Sequence, residues 1–277
     1  MRVFREAGFG KVNGFELGRG FTGRPIMTVY MYIVDGLMID TGLAHMRNTV
    51  RRIVTEWPVH QVFVTHYHED HGGNAGAIRD LLPEIPMYAH PLCVEKMASP
   101  FSIRPYQHLI WGRSSPVELA PMPERIRTER MCFEPIHTPG HSSDHVALYE
   151  RNRGWLFSGD LYLGDRIKYF RRDEHLGTQI DSLKRALELD FDSLFCAHHP
   201  KPEKGRDRLV EKLQYLEDLY GSVTEQWEKG HGVADIMRRL QLREDRFVLS
   251  LTLGNVSARN MVRSVVEDLE RDARQSA

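Results

Sequence analysis

Short apolar segments alternate with glycine-rich and charged turns through the first two thirds of the chain, which is typical of a mixed α/β domain. From residue 15 to residue 41, apolar runs separated by glycines predict antiparallel strands, the last of which ends at Asp40. Residues 46–57 place their apolar side chains on one face at helical spacing, and the apolar run 62–64 predicts the next strand. This strand, helix and strand together predict a layered α/β fold.

The same alternation continues to about residue 200, and the pattern then becomes helical. Helices are predicted at 72–82 and 179–189, and strands at 86–90, 131–133, 146–149, 155–157 and 193–197. Residues 99–124 are rich in proline, serine and arginine, so we predict a long surface loop or lid there. Beyond residue 205, three apolar stripes predict helices. We therefore predict a catalytic domain of residues 1–204 and a helical extension of residues 205–277 packed on it, which either shapes the pocket or forms a homodimer contact.

Composition narrows the class of protein. The chain has 277 residues, with 37 Lys and Arg against 38 Asp and Glu, and this balance demands neither nucleic acid nor an anionic membrane as a partner. The three cysteines, Cys93, Cys132 and Cys196, are odd in number and far apart, so they predict no disulfide framework. The N-terminus lacks the apolar core of a signal peptide, and no apolar run approaches the roughly 18 residues that span a bilayer. We expect a soluble, cytoplasmic protein.

Four metal-capable side chains follow the predicted strand at 62–64 within six residues: His66, His68, Asp70 and His71. His66 and His68 are two residues apart at the end of a strand, so their imidazoles can point the same way. Asp70 and His71 come where the chain must turn and can face the other side of the same pocket. This arrangement suits two adjacent metal ions, with one pair of ligands on each.

Three later strand exits carry further ligands. His141 follows the turn of Thr138 to Gly140, Asp160 follows Ser158 and Gly159, and His198 precedes His199 and Pro200. One set can comprise His66, His68 and His141, and the other Asp70, His71 and His198. Asp160 can bridge the two ions because a carboxylate has two oxygens. Two such ions lower the pKa of a shared water, so that hydroxide exists near neutral pH and can attack a carbonyl or phosphoryl centre.

The motifs H-x-H-x-D-H, T-P-G-H, S-G-D and H-x-P, in this order, resemble those of the metallo-β-lactamase superfamily of metallo-hydrolases. The resemblance covers about residues 12–204 and implies a four-layer αβ/βα sandwich with a dinuclear site at one edge of its two sheets. It also implies the ligand sets given above, with Asp160 bridging. Asp40 matches a family aspartate that supports the metal loops. The family commonly has glycine where His199 stands, and the position two before proline favours His198 as the ligand.

The resemblance to the hydroxyacylglutathione hydrolase and lactonase branch, which shares the bridging aspartate, implies a small ester, thioester or lactone substrate. A metal-bridging hydroxide would attack its carbonyl, while Asp70 orients the nucleophile or takes its proton. The expected cofactors are two divalent ions, with Zn²⁺ preferred. Fe and Mn²⁺ are alternatives, because imidazole and carboxylate do not discriminate sharply among these metals.

Two other functions stay open at this point. The first is a phosphodiesterase or nuclease of the same fold, against which stand the neutral charge and the lack of an inserted second domain. The second is a regulatory protein that retains the metal site and acts through its C-terminal helices.

The basic run Arg166–Arg172 is interpreted either as a solvated loop or as a binding site for an anionic substrate group. His145 is expected to support the site or to cap a strand, and not to bind metal. Cys196 is expected to be a buried strand residue and no nucleophile.

Overall fold

The structure is a computed structural model that describes residues 1–20, 23–99 and 102–275. Phe21 and Thr22 of the predicted strand region, Pro100 and Phe101 of the predicted loop, and the last two residues of the predicted extension lie outside the described residues. The chain forms two compact units. The first comprises Met1–His137, Asp144–Asp160 and Asp190–Gly205, and the second comprises Thr138–Ser143, Leu161–Leu189 and the chain from Arg206 onward.

Strands and helices alternate along the chain. The strands are β1 (Arg2–Phe9), β2 (Val12–Arg19), β3 (Val29–Val34), β4 (Leu37–Ile39), β5 (Gln61–Val64), β6 (Met87–Ala89), β7 (Ala120–Pro121), β8 (Ile126–Arg127), β9 (Cys132–His137), β10 (Val146–Glu150), β11 (Trp155–Gly159), β12 (Phe170–Arg171), β13 (Ser193–Cys196) and β14 (Val256–Ser257). The helices are α1 (Arg47–Glu56), α2 (Ala75–Leu81), α3 (Pro91–Met97), α4 (Pro105–Ile110), α5 (Leu176–Leu187), α6 (Gly205–Glu228), α7 (Val233–Arg239), α8 (Arg246–Leu251) and α9 (Ala258–Gln275).

The first unit contains two sheets. Strands β1 to β7 form a seven-stranded sheet in chain order, antiparallel from β1 to β4 and parallel from β4 to β7. The second sheet has the order β13-β11-β10-β9-β8 and is antiparallel except for the β11–β13 pair. Because β4, β5 and β6 run parallel, the residues that follow them emerge at one edge of the first sheet.

Two apolar clusters cover opposite faces of the first sheet. Val62 and Val64 pack in one cluster with the buried side chains of α1 and α2, whereas Phe63 packs in the other. This second cluster includes side chains of both sheets, such as Phe133 and Phe157. Successive side chains of a strand point to opposite faces, so a strand that is apolar throughout is buried on both sides. The layered α/β fold predicted from the sequence is confirmed.

Two predicted elements need correction, and the sequence pattern missed strand β1, the two-residue strands β7, β8, β12 and β14, and the short helices α3 and α8. The helix predicted at 72–82 begins only at Ala75, because Asn74 Nδ2 donates to the carbonyls of Thr41 and Leu43, at 2.8 and 2.9 Å, and holds the preceding residues in a turn. The prediction of a surface loop at 99–124 is wrong in part, because this stretch includes the partly buried helix α4. Strand β1 is a largely exposed edge strand, and its weak apolar pattern explains why it was missed.

The second unit contains α5 to α9 and the small antiparallel sheet of β12 and β14. Leu209, Leu216 and Val223 of α6 are fully buried at seven-residue spacing, and α9 buries Met261 and Val265. The predicted C-terminal helices are therefore present, while the domain boundary at residue 204 stays a prediction. Within the described part of the chain, no helix combines the length and the apolarity needed to cross a bilayer.

Candidate metal centre

Asp40 and Thr65 follow the parallel strands β4 and β5 and meet at the same sheet edge. Asp40 is buried and has a left-handed backbone, with φ of 62°, which aspartate tolerates better than most residues. Its Oδ1 accepts hydrogen bonds from the Thr65 backbone N–H at 2.8 Å and from Thr65 Oγ1 at 2.9 Å. Asp40 therefore fixes the start of the loop that carries the histidine cluster, which agrees with the supporting role that the resemblance implies.

The other carboxylate oxygen of Asp40 orients His71. Asp40 Oδ2 lies 2.7 Å from His71 Nδ1, and since an ionised carboxylate only accepts hydrogen bonds, Nδ1 carries the hydrogen. His71 Nε2 is buried, and Asp160 Oδ1 lies 3.3 Å from it. Burial by itself lowers the pKa of His71, but the carboxylates of Asp160, Asp40 and Asp70 overcome this effect and raise the pKa well above its usual value. The same negative potential favours a metal ion at Nε2.

Asp160 turns its two oxygens to different histidines. Oδ1 lies 3.3 Å from His71 Nε2 and 3.4 Å from His198 Nε2, while Oδ2 lies 4.0 Å from His66 Nε2. The Asp160 backbone N–H donates to His145 Nε2 at 2.9 Å, so His145 contacts the backbone of a proposed ligand, and its role in supporting the site stays a prediction. Asp160 is thus held where it can contact two groups of histidines at once.

Gly159 is required at the end of β11 by close approach. A Cβ atom at this position would lie 2.7 Å from His145 Nε2 and 3.1 Å from Thr65 Oγ1, and the φ of 47° is itself unfavourable for larger residues. The glycine that precedes Asp160 in the S-G-D motif therefore lets the chain pass close to the histidine loop.

One group of ligand atoms comprises Asp70, His71 and His198, which all lie within 4.8 Å of one another. His198 Nε2 is 3.8 Å from Asp70 Oδ2, and His198 Nδ1 donates to the Thr28 carbonyl at 2.7 Å, which directs Nε2 toward the carboxylates. Burial lowers the pKa of His198, and Asp160 and Asp70 more than offset this and raise it. His199 is exposed and lies outside this group.

A second group of ligand atoms, also in the first unit, comprises His66, His68 and Asp160. These atoms too lie within 4.8 Å of one another. His66 Nε2 and His68 Nδ1 are 2.9 Å apart, and His66 Nδ1 lies 3.1 Å from Thr65 Oγ1. Burial, followed by the neighbouring His71 and His68, lowers the pKa of His66 well below its usual value. A neutral imidazole is the form that binds metal.

His141 lies in the second unit and is oriented there by a buried carboxylate. Its Nδ1 is 3.1 Å from Glu174 Oε2, and Glu174 also accepts hydrogen bonds from the Arg171 backbone at 2.8 Å and from Gln179 Nε2 at 2.9 Å. Gly140 precedes His141 with φ of 128°, and a Cβ there would lie 2.6 Å from the Gln179 backbone nitrogen. The assignment of His141 to the first ligand set stays a prediction.

Sequence reasoning missed several supporting contacts. Glu174 belongs to no motif and is 33 residues from His141, so no local signal could have identified it. Asp144 is fully buried, accepts a hydrogen bond from the Tyr67 backbone at 2.9 Å and lies 3.2 Å from Lys96 Nζ. Its position three residues after His141 was the only available signal.

The side chains that meet at this edge fit divalent metal ions. An ion that binds two N or O ligands at about 2.0–2.2 Å holds them no more than roughly 4.4 Å apart. The separations that join Asp160, His71, His198 and Asp70 range from 3.3 to 4.0 Å and satisfy this limit. Imidazole and carboxylate ligands suit Zn²⁺, Fe and Mn²⁺ alike, so this geometry favours a divalent metal without selecting one.

Comparison with known proteins places the chain in a family. Residues 25–198 match the model of the metallo-beta-lactamase superfamily. An uncharacterized protein of Aquifex aeolicus is 30% identical over 63% of this chain and 83% of its own length. A hydroxyacylglutathione hydrolase of Photorhabdus laumondii is 28% identical over 52% of this chain and 49% of its own length, so the chain spans about half of that relative.

A solved structure extends the fold comparison to nearly the whole chain. A metallo-beta-lactamase family protein from Thermus thermophilus aligns with a TM-score of 0.63 and 18% identity, covering 95% of this chain and 94% of its own. At that identity the likeness concerns the fold alone. Together with the family match over residues 25–198, it confirms the resemblance drawn from the motifs, and the chain belongs to the metallo-beta-lactamase superfamily.

Proposed function

We propose that this protein is a dinuclear metal-dependent hydrolase of a small ester, thioester or lactone. The observation that carries the proposal is the position of Asp160, whose Oδ1 lies 3.3 Å from His71 Nε2 while its Oδ2 faces His66 Nε2 at 4.0 Å. In the proposal, each of two ions would be held by its own trio of residues, and Asp160 would be a ligand shared between them. The first trio is His66, His68 and His141, and the second is Asp70, His71 and His198.

Two bound divalent ions would supply a water of lowered pKa as nucleophile and an electrophile for the substrate carbonyl oxygen. The chain supplies the orientation of the ligands and the proton transfer. Asp70 has the catalytic role, because its buried carboxylate can orient the nucleophile or take its proton. Asp40 and the Thr28 carbonyl accept the Nδ1 hydrogens of His71 and His198, which leaves the Nε2 atom of each histidine as the one that would hold an ion.

The choice of substrate class rests on likeness and on charge. The relative named hydroxyacylglutathione hydrolase acts, by its name, on an acylated glutathione, which favours a thioester or a related ester. Within the basic run Arg166–Arg172, Arg166, Lys168 and Arg172 are exposed while Ile167 and Phe170 are buried anchors. We propose that these cations hold an anionic group of a small-molecule substrate.

The metals, compartment and assembly belong to the same proposal. Zn²⁺ is preferred for both ions, with Fe and Mn²⁺ as alternatives. Cys93, Cys132 and Cys196 are free, which supports a reducing compartment such as the cytoplasm. A homodimer contact through the C-terminal helices is also proposed, and sedimentation of the purified chain would test it.

A substrate screen separates this function from its alternatives. Purified, metal-loaded protein is assayed against thioesters, lactones, esters and phosphodiesters, and we expect turnover of a carbonyl substrate. His68→Ala should abolish that turnover together with most of the bound metal, because His68 is buried and its Nδ1 lies 2.9 Å from His66 Nε2 in the group of His66, His68 and Asp160. Turnover of phosphodiesters alone would favour the phosphodiesterase alternative. Full activity in metal-depleted His68→Ala protein would exclude the mechanism.

His198 and His199 offer a matched pair of substitutions. We expect His198→Ala to lose one of the two bound ions, because His198 Nε2 lies 3.4 Å from Asp160 Oδ1 and 3.8 Å from Asp70 Oδ2. His199→Ala should retain both ions, since this side chain is exposed and lies outside both ligand groups. Elemental analysis of the two desalted variants decides which histidine is the ligand. Metal loss in His199→Ala alone would show that His199, and not His198, binds the ion.

A further inference from the structure

A buried glutamate lies between two of the proposed ligands and is not itself one of them. Glu69 follows His68 and precedes Asp70, and only 1% of its surface is exposed. A carboxylate so far from solvent needs hydrogen-bond donors, because burial without them is strongly unfavourable. Gln107 of α4 is such a donor: its Nε2 lies 2.9 Å from Glu69 Oε1, and Gln107 is itself only 4% exposed.

The helix that carries Gln107 is anchored independently of Glu69. At its N-terminus, Gln107 Oε1 accepts a hydrogen bond from the Arg104 backbone N–H at 2.7 Å, so both ends of the amide are engaged. At its C-terminus, the His45 backbone N–H donates to the Trp111 carbonyl at 3.0 Å, and His45 Nε2 lies 3.0 Å from the His108 carbonyl. These contacts hold α4 in a fixed position beside Glu69.

The loop of residues 65–74 needs such support because it belongs to neither a strand nor a helix. Ligand side chains bind metal tightly only when their backbone is held in place, and residues that orient ligands contribute to affinity without touching the ion. We propose that Gln107 is a positioning residue of the metal centre and acts through Glu69 to fix the backbone that carries His68 and Asp70. This inference rests on the proposed dinuclear centre.

The test uses the full-length protein loaded with Zn²⁺ and measures the rate at which excess EDTA removes the metal. Gln107→Leu keeps the side-chain size and removes both the donor to Glu69 and the acceptor for the Arg104 backbone N–H. We expect metal loss to accelerate by about tenfold, the lower end of the effect of residues that orient ligands. Ile110→Ala is the matched control, because Ile110 is a buried apolar residue of the same helix. It should lower the melting temperature and leave the rate of metal loss unchanged.

A double-mutant cycle tests whether the effect passes through Glu69. If it does, Glu69→Leu combined with Gln107→Leu should lose metal no faster than Glu69→Leu alone, since leucine at either position removes the same hydrogen bond between Gln107 Nε2 and Glu69 Oε1. Three results would each overturn the inference. Gln107→Leu could lose metal at the wild-type rate, Ile110→Ala could lose it as fast as Gln107→Leu, or the increases in rate of the two single variants could multiply in the double variant.

The proposed function and this inference fail in different ways. Zn²⁺-loaded protein that hydrolyses no carbonyl substrate would contradict the proposed function, and the metal-loss rates would still decide the role of Gln107. A wild-type chain that binds no Zn²⁺ would overturn both.

Discussion

Asp160→Asn is expected to lose at least one of the two bound ions and to lower kcat/KM by about 10³-fold, which corresponds to about 4 kcal/mol of transition-state stabilisation. The substitution preserves the size of the side chain but removes its charge and one of its two acceptor oxygens. In the wild type, Asp160 Oδ1 lies 3.3 Å from His71 Nε2 and Oδ2 lies 4.0 Å from His66 Nε2. An amide NH₂ cannot bind a cation, so asparagine could offer an oxygen to only one of these two groups. Elemental analysis and steady-state kinetics measure the two effects.

Asp165→Asn is the control for this substitution. Asp165 follows Asp160 by five residues, and its side chain is 38% exposed and 3.4 Å from Arg208. An exposed ion pair of this kind contributes little to stability, so this variant should keep the metal content of the wild type. An Asp160→Asn protein that retains two ions would show that the carboxylate does not bridge them.

Asp40→Asn is expected to weaken binding of the second ion by about 10- to 100-fold, although Asp40 touches no metal in the proposal. Asparagine tolerates the left-handed backbone at this position, and its oxygen can still accept from Thr65. The new NH₂ group would then face His71 Nδ1, at the 2.7 Å contact now made by Oδ2. To accept from this NH₂, His71 would have to shift its hydrogen to Nε2, which is the atom proposed to bind metal.

The β3–β4 turn offers a matched control for Asp40→Asn. Asp35 also has a left-handed backbone, with φ of 48°, and its Oδ2 accepts hydrogen bonds from Thr128 Oγ1 at 2.6 Å and from the Arg130 backbone at 2.7 Å. Asp35→Asn should lower stability slightly and leave metal affinity unchanged. Metal affinity is measured for both variants by competition with a chelator. If Asp40→Asn bound metal as tightly as the wild type, Asp40 would not act by keeping the hydrogen of His71 on Nδ1.

Much of the candidate site was predictable because its ligands follow the ends of strands. His66, His68 and His71 come directly after a strand that is apolar on both faces, and the parallel pairing of β4 and β5 brings Asp40 beside them. A sequence pattern that predicts strands therefore also predicts which polar residues emerge at a common edge.

The contacts that orient the ligands were less predictable. Glu174 reaches His141 across 33 residues and Gln107 reaches Glu69 across 38, and neither pair belongs to a periodic pattern. Helix α4 is only six residues long, too short to display an apolar stripe, and it lies in a stretch rich in proline and serine. Such contacts depend on tertiary packing, which residue spacing does not encode.

The metal content of the purified wild-type chain tests the central claim most directly. After loading with Zn²⁺ and removal of loosely bound metal by desalting, elemental analysis should give about two ions per chain, since Asp160 lies beside both groups of ligand atoms. A content of about one ion per chain, or less, would contradict the dinuclear centre.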